Sequence, residues 1–289
     1  MVVERVLVVG GGGVMGSGIA QVVARAGFRV TVLETDDAAL ERGRRRVERG
    51  LERAVRASDL AGPDAAAAVL SRIEGTTDLE AAAAGADHVI ETVVEDLEAK
   101  CDVLGRLDAA CRDDVVLASN TSQFSISRLA AATGRPDRVI GSHWFNPPAV
   151  MRLIEVVRGV ETSDETLATA LDLASRYGKE TIVCKRDTQG FVTSRLIALL
   201  IVEAARIVEE GIADPEDVDR ACVLAFNHAM GPLDTADLSG LDIVEHVADG
   251  LVSQYGERFL PPAGLRALVN AGHLGRKTGR GFRDHGEAR

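Results

Sequence analysis

In the first part of the chain, short apolar runs rich in β-branched residues alternate with helical repeats; beyond residue 190 only helical repeats remain. Arg5 to Val9 reads as a strand that stops in the glycines Gly10 to Gly13, and a helical pattern resumes at Gly16. Ala26-Gly27-Phe28 ends that helix, Arg29 to Leu33 is a second strand, and Asp37 to Arg56 is a helix rich in arginine. Past Pro63 and an alanine-rich helix come a short strand at Ile73 to Thr77, a helical segment from Leu79 to Ala84, and strands at His88 to Val93, Val115 to Ala118, Val139 to Ser142 and Leu153 to Val157. From Phe191 to Glu210 the repeat Leu196, Leu199, Leu200, Ala204, Ile207 predicts one helix, ended by Gly211; Asp214-Pro215 opens the next. Further helices are expected over Asp217 to Ala225, Pro232 to Ala248 and Pro262 to Ala271. The pattern predicts an α/β domain over 1–185 followed by an all-α domain over 186–289.

Composition narrows the function. Hydrophobic residues at 46% and charged residues at 27% describe a globular protein, and a net charge of −11 argues against a nucleic-acid partner. Cys101, Cys111, Cys184 and Cys222 form no CxxC pair, and His246 and His273 lack companions at ligand spacing, so neither a disulfide framework nor a metal is expected. Arg195 and Glu203 bound the apolar run Leu196 to Val202 well short of a bilayer span, so it reads as a buried helix and no membrane insertion is expected. The chain enters a strand-like run with no basic leader, which favours a cytoplasmic location.

Gly11, Gly13 and Gly16 form GxGxxG between a strand and a helix. In a Rossmann-type domain the first glycine permits the tight turn, the second lets a pyrophosphate approach the backbone, and the third lets helix and strand pack closely. Val14 and Met15 then supply free amides of the first helical turn to the phosphates. Glu34 follows at about the 20-residue spacing at which a carboxylate accepts hydrogen bonds from ribose hydroxyls. It would repel a 2'-phosphate, so NAD is expected rather than NADP.

The arginines of 42–56 read either as a salt-laced solvated face or as a site for a polyanionic substrate. Ser119-Asn120-Thr121-Ser122 lies just past a strand's carboxyl end, where open parallel sheets bind ligands; its polar side chains either cap the next helix or touch a ligand. His143 precedes Asn146-Pro147-Pro148, which places it at an element edge. Glu155, between Ile154 and Val156, either points outward on an edge strand or partners His143 from a neighbouring strand. A histidine held by a carboxylate can take and return a proton near neutrality, as alcohol oxidation beside NAD requires.

Along almost its whole length the chain resembles the L-3-hydroxyacyl-CoA dehydrogenase family, its short bacterial 3-hydroxybutyryl-CoA dehydrogenase members above all. The motifs that carry the resemblance are GGGVMGSGIAQ at 11–21, ETVVEDLEAK at 91–100, SNTSQFSI at 119–126, GSHWFNPPAVMRLIEVV at 141–157, MGPLDTADLSGLD at 230–242 and GHLGRKTGRGF at 272–282. The resemblance implies an NAD-binding domain, a smaller helical domain for substrate binding and dimerisation, a homodimer, a cleft between domains, and an acyl-CoA substrate. It implies that His143 is the general base, Glu155 its orienting acid, Ser122 a contact to the C3 oxygen, and Asn146 the asparagine past the histidine. Glu34 matches the ribose acid, Glu95 a glutamate near the nicotinamide, Lys100 a basic position on the following helix, and the arginine-rich stretch overlaps the region near the nucleotide end of coenzyme A.

The chain departs from the family at Gln189-Gly190-Phe191-Val192-Thr193-Ser194-Arg195, where the family usually has Pro-Gly-Phe, two apolar residues and Asn-Arg. Ser194 stands in place of an active-site asparagine; a hydroxyl reaches less far than an amide, so the acyl pocket is where a difference is expected. Two alternatives remain at this point: a dehydrogenase of a free hydroxy acid such as gulonate, and a non-catalytic NAD-binding protein like related lens crystallins.

Overall fold

A computed structural model describes residues 3–286. The chain divides into two compact units, Met1–Thr188 and Gln189–Arg289.

In the first unit the elements run β1 (Arg5–Val9), α1 (Val14–Arg25), β2 (Arg29–Leu33), α2 (Asp37–Arg56), α3 (Pro63–Leu70), β3 (Ile73–Thr76), α4 (Leu79–Gly85), β4 (His88–Glu91), α5 (Leu97–Ala110), β5 (Val116–Ser119), α6 (Ile126–Ala130), β6 (Val139–Trp144), β7 (Leu153–Arg158), α7 (Asp164–Arg176) and β8 (Glu180–Cys184). The sheet order is β3-β2-β1-β4-β5-β6-β7-β8. From β3 to β6 every pairing is parallel; β7 turns antiparallel to β6, and β8 runs parallel to β7. Strand order reverses between β1 and β4, which opens the crevice at their carboxyl ends where this architecture binds nucleotides. Val6, Val8, Val30, Val32, Ile90, Val116 and Ile140 belong to the buried core cluster of this unit.

Several expected boundaries move. The first helix starts at Val14 because Gly13 is its extended N-cap, and the fourth strand ends at Glu91, not Val93. β6 runs through Trp144, so His143 lies inside a strand next to its last residue. The pattern gave no element between 158 and 185, where α7 and β8 lie. His88, at the start of β4, is buried, and its Nδ1 has no hydrogen-bond partner.

The second unit is helical: α8 (Thr193–Glu209), α9 (Pro215–Phe226), α10 (Pro232–Ser239), α11 (Leu241–Tyr255) and α12 (Ala263–Asn270). The single helix expected from Pro232 to Ala248 is two, because Gly240 takes φ 103° and breaks the run. The reading of Leu196 to Val202 as a buried helix is also corrected. Ala198, Ile201, Val202 and Ala205 form the buried stripe, whereas Leu196 is 65% exposed. The segment after residue 275 packs on α10, where the fully buried Asp237 accepts from the amides of Phe282 and Arg283 and pairs with His285. Among the described residues no helix is long and apolar enough to cross a membrane, and no group of His, Cys, Asp and Glu is arranged to hold a metal.

Candidate active site

The glycine turn between β1 and α1 has the shape a dinucleotide needs. A Cβ on Gly11 would strike the Val32 side chain, and one on Gly16 would strike the Gly10 carbonyl and Gly11. Gly16 therefore lets the helix pack on the backbone of the turn, and Gly11 lets the turn pack on the Val32 side chain. Gly13 is exposed and caps α1 without any side-chain hydrogen bond, so the first-turn amides around Val14 and Met15 remain available for phosphate. Glu34, at the end of β2, accepts from the Gly12 amide at 2.6 Å, and Thr92 Oγ1 donates to the Val9 carbonyl at 2.7 Å across the crevice. Close-packing glycines, an uncapped helix start and a carboxylate against the loop fit NAD.

Next to the crevice, β4 and β5 carry a buried polar network centred on Glu91, the one member that the sequence reading did not assign to the site. Glu91 is fully buried: its Oε1 accepts from Lys100 Nζ at 2.8 Å and from the Val93 amide at 2.7 Å, and its Oε2 accepts from Ser119 Oγ at 2.5 Å. Lys100 also lies 3.2 Å from Glu95 Oε2. Glu95 in turn accepts from Thr121 Oγ1 at 2.6 Å and from the Ser122 amide at 2.9 Å. Lys100, expected near the cofactor, is only 1% exposed and sits behind Glu95. The one signal in the sequence was an acid inside an otherwise apolar strand.

The expected contact between His143 and Glu155 is present: Nδ1 lies 2.9 Å from Oε2, with the two side chains 8% and 0% exposed. They are direct partners in the antiparallel β6–β7 register, so their side chains leave the same face of the sheet. β7 is an interior strand, which removes the outward-pointing alternative for Glu155. An ionised carboxylate only accepts, so a neutral imidazole in this contact would carry its proton on Nδ1 and leave Nε2 as the basic nitrogen. Asn120 Oδ1 accepts from the Trp144 amide at 2.9 Å, tying the turn after β5 to the residue beside His143. Phe145 packs its ring 4.6 Å from the His143 ring.

Asn146 lines a groove together with Val14, Ser17 and Gln21 of α1, Arg46, Arg49 and Arg53 of α2, and Pro147. Here the two readings of the arginine helix separate by face. Arg44 pairs with Glu48 and Arg45 with Glu41, while Arg46, Arg49 and Arg53, three and four residues apart on one face, have no carboxylate partner among the described residues. Gln21 is 4% exposed and its Nε2 has no partner; Gly50 makes room for its amide. Ser194 belongs to the second unit, half-buried in the first turn of α8.

A mostly parallel sheet with a dinucleotide turn at its switch point and a buried histidine–carboxylate pair defines an NAD-binding dehydrogenase. The NAD-binding domain of 3-hydroxyacyl-CoA dehydrogenase matches residues 5–188, and the C-terminal domain of the same enzymes matches residues 190–285. The chain belongs to the 3-hydroxyacyl-CoA dehydrogenase family. It is 44% identical to a 3-hydroxybutyryl-CoA dehydrogenase of Mycobacterium tuberculosis over 97% of this chain and 98% of that one. It is 36% identical to the mitochondrial hydroxyacyl-coenzyme A dehydrogenase of Sus scrofa over 98% and 91%. The crystal structure of (S)-3-hydroxybutyryl-CoA dehydrogenase PaaH1 from Ralstonia eutropha matches with a TM-score of 0.93 at 39% identity, covering 99% of this chain and all of that one.

Proposed function

We propose that this protein interconverts L-3-hydroxyacyl-CoA and 3-oxoacyl-CoA with NAD, and that 3-hydroxybutyryl-CoA is its substrate. The observation that carries the reading is the His143–Glu155 pair, buried and in register. Bound NAD supplies the hydride acceptor. His143 Nε2 takes the proton of the C3 hydroxyl, while Glu155 holds the ring in one tautomer and stabilises the charge that forms on it. Ser122, whose amide and hydroxyl lie 2.9 Å and 3.4 Å from Glu95 Oε1, supplies its hydroxyl to the C3 oxygen when substrate binds. The groove of Arg46, Arg49 and Arg53, with Asn146 and the unpartnered Gln21 amide in its lining, takes the phosphorylated nucleotide end of coenzyme A. A free hydroxy acid has no use for that groove.

The protein works as a homodimer through the second unit, where Leu196, Ile212, Leu224 and Phe226 are all 65% exposed or more. It acts in the cytoplasm, in keeping with its free cysteines. The test is NADH appearance with L-3-hydroxyacyl-CoA esters from four carbons upward and with free hydroxy acids. Turnover of the CoA esters alone is expected; oxidation of the free acids with equal efficiency would overturn the reading.

A further inference from the structure

Gly12 is held through both of its backbone polar groups. Its amide donates to Glu34 Oε1 at 2.6 Å, and its carbonyl accepts from Arg46 Nη1 at 2.9 Å. Gly12 belongs to the dinucleotide turn and Glu34 follows β2 beside it, whereas Arg46 is the half-buried member of the arginine groove. Of the groove's three arginines only Arg46 has a hydrogen bond to that turn. No other groove arginine has a described partner that would transmit a change to the cofactor loop.

We propose that Arg46 couples the two ligand sites, so that the anionic end of coenzyme A in the groove and NAD on the glycine turn each strengthen the binding of the other. This rests on the reading of the groove as a coenzyme A site. A guanidinium has five N–H donors in a fixed fork. With Nη1 on Gly12, others are left to take a phosphate without releasing the loop. A phosphate there fixes the Arg46 side chain, and with it the Gly12 carbonyl, before NAD arrives. The cost in freedom of ordering arginine and loop is then met once for both ligands, which is positive coupling without a change of fold. The coupling is reciprocal, so each ligand raises the affinity of the other by the same factor.

The experiment uses the full chain, NADH fluorescence for cofactor binding, and free coenzyme A as the non-reacting probe. In the native protein, saturating coenzyme A is expected to lower the Kd of NADH about threefold or more, and saturating NADH to lower the Kd of coenzyme A by the same factor. In Arg46→Ala, with an unchanged melting temperature, both ratios fall to one. In Arg49→Ala coenzyme A binds several-fold more weakly, yet at saturation it still tightens NADH. A native ratio of one, or a ratio that survives in Arg46→Ala, overturns the coupling. If Arg49→Ala and Arg53→Ala bind coenzyme A as the native protein does, the groove reading itself fails, and that outcome is separate from loss of coupling.

Discussion

Glu91 and Lys100 meet at 2.8 Å with 0% and 1% of their side chains exposed, a full ion pair sealed beneath the turn that carries Ser122. Removing one partner leaves a buried charge without its counterion, which typically costs about 3–5 kcal/mol. Glu91→Gln is therefore expected to lower unfolding free energy by about 3 kcal/mol. The double variant Glu91→Leu, Lys100→Met is expected to lose less than Lys100→Met alone. Urea unfolding of these variants and of Glu91→Leu checks both; a double variant as weak as the sum of Glu91→Leu and Lys100→Met would show that the two side chains act independently.

For His143 and Glu155 the expected effect is on rate. His143→Ala removes the proton acceptor and is expected to lower kcat by about 100-fold or more. Glu155→Gln offers an amide that can donate to Nδ1 and so reverse the tautomer, and a loss of at least the order of 100-fold is expected there too. NADH fluorescence titration should give near-native Kd for both. Full turnover in His143→Ala would identify some other group as the base.

Ser194 is expected to govern the acyl pocket. A hydroxyl is shorter than an asparagine amide, so Ser194→Asn is expected to move the preference among acyl lengths toward shorter chains. The measurement is kcat/KM across the ester series, and an identical profile would remove Ser194 from the specificity argument.

His88 makes the fold sensitive to acid. Burial without a partner lowers its pKa from 6.5 to about 4, because the charged ring is disfavoured there. Between those values the unfolded chain binds the proton and the folded chain does not, so stability is full above pH 6.5 and falls as the pH drops toward 4. The contribution amounts to about 2 kcal/mol lost between pH 7.5 and 5. Denaturation curves at the two pH values should show a smaller loss in His88→Leu; equal losses would mean that other groups carry the acid sensitivity.

The exposed apolar residues of the second unit give the last prediction. Leu224, 72% exposed on α9, is expected to lie in the dimer interface, and Leu224→Asp should yield a folded monomer by sedimentation. A variant that stays dimeric would place the interface elsewhere.

Local chemistry was readable along the chain. Gly11, Gly13 and Gly16 announce the turn because only glycine tolerates the contacts at 11 and 16, and Arg5–Val9, Arg29–Leu33 and Asp37–Arg56 fall where the pattern predicts. The helical half was less legible. The repeat through Leu196 and Leu199 predicts an inward face, but alanines occupy much of that face and the leucines look outward. Periodicity shows which residues share a face, not whether that face meets this chain's own core. The buried network behind Ser122 was hidden for a related reason: Glu91 and Ser119 are neighbours only through the β4–β5 register.

The sequence by itself determined the strand–turn–helix order, the glycine turn, the acid that follows it and the residue types of a proton-transfer pair. Each of these depends on spacing between near neighbours, which the chain carries with it. The tertiary structure decided that His143 faces Glu155, that Lys100 is sealed between two carboxylates, and that Arg46 reaches Gly12 while Arg44 and Arg45 do not. Those pairings depend on strand register and helix rotation, where a slip of one residue sends every side chain to the opposite face, and register is set by the packing of the whole sheet.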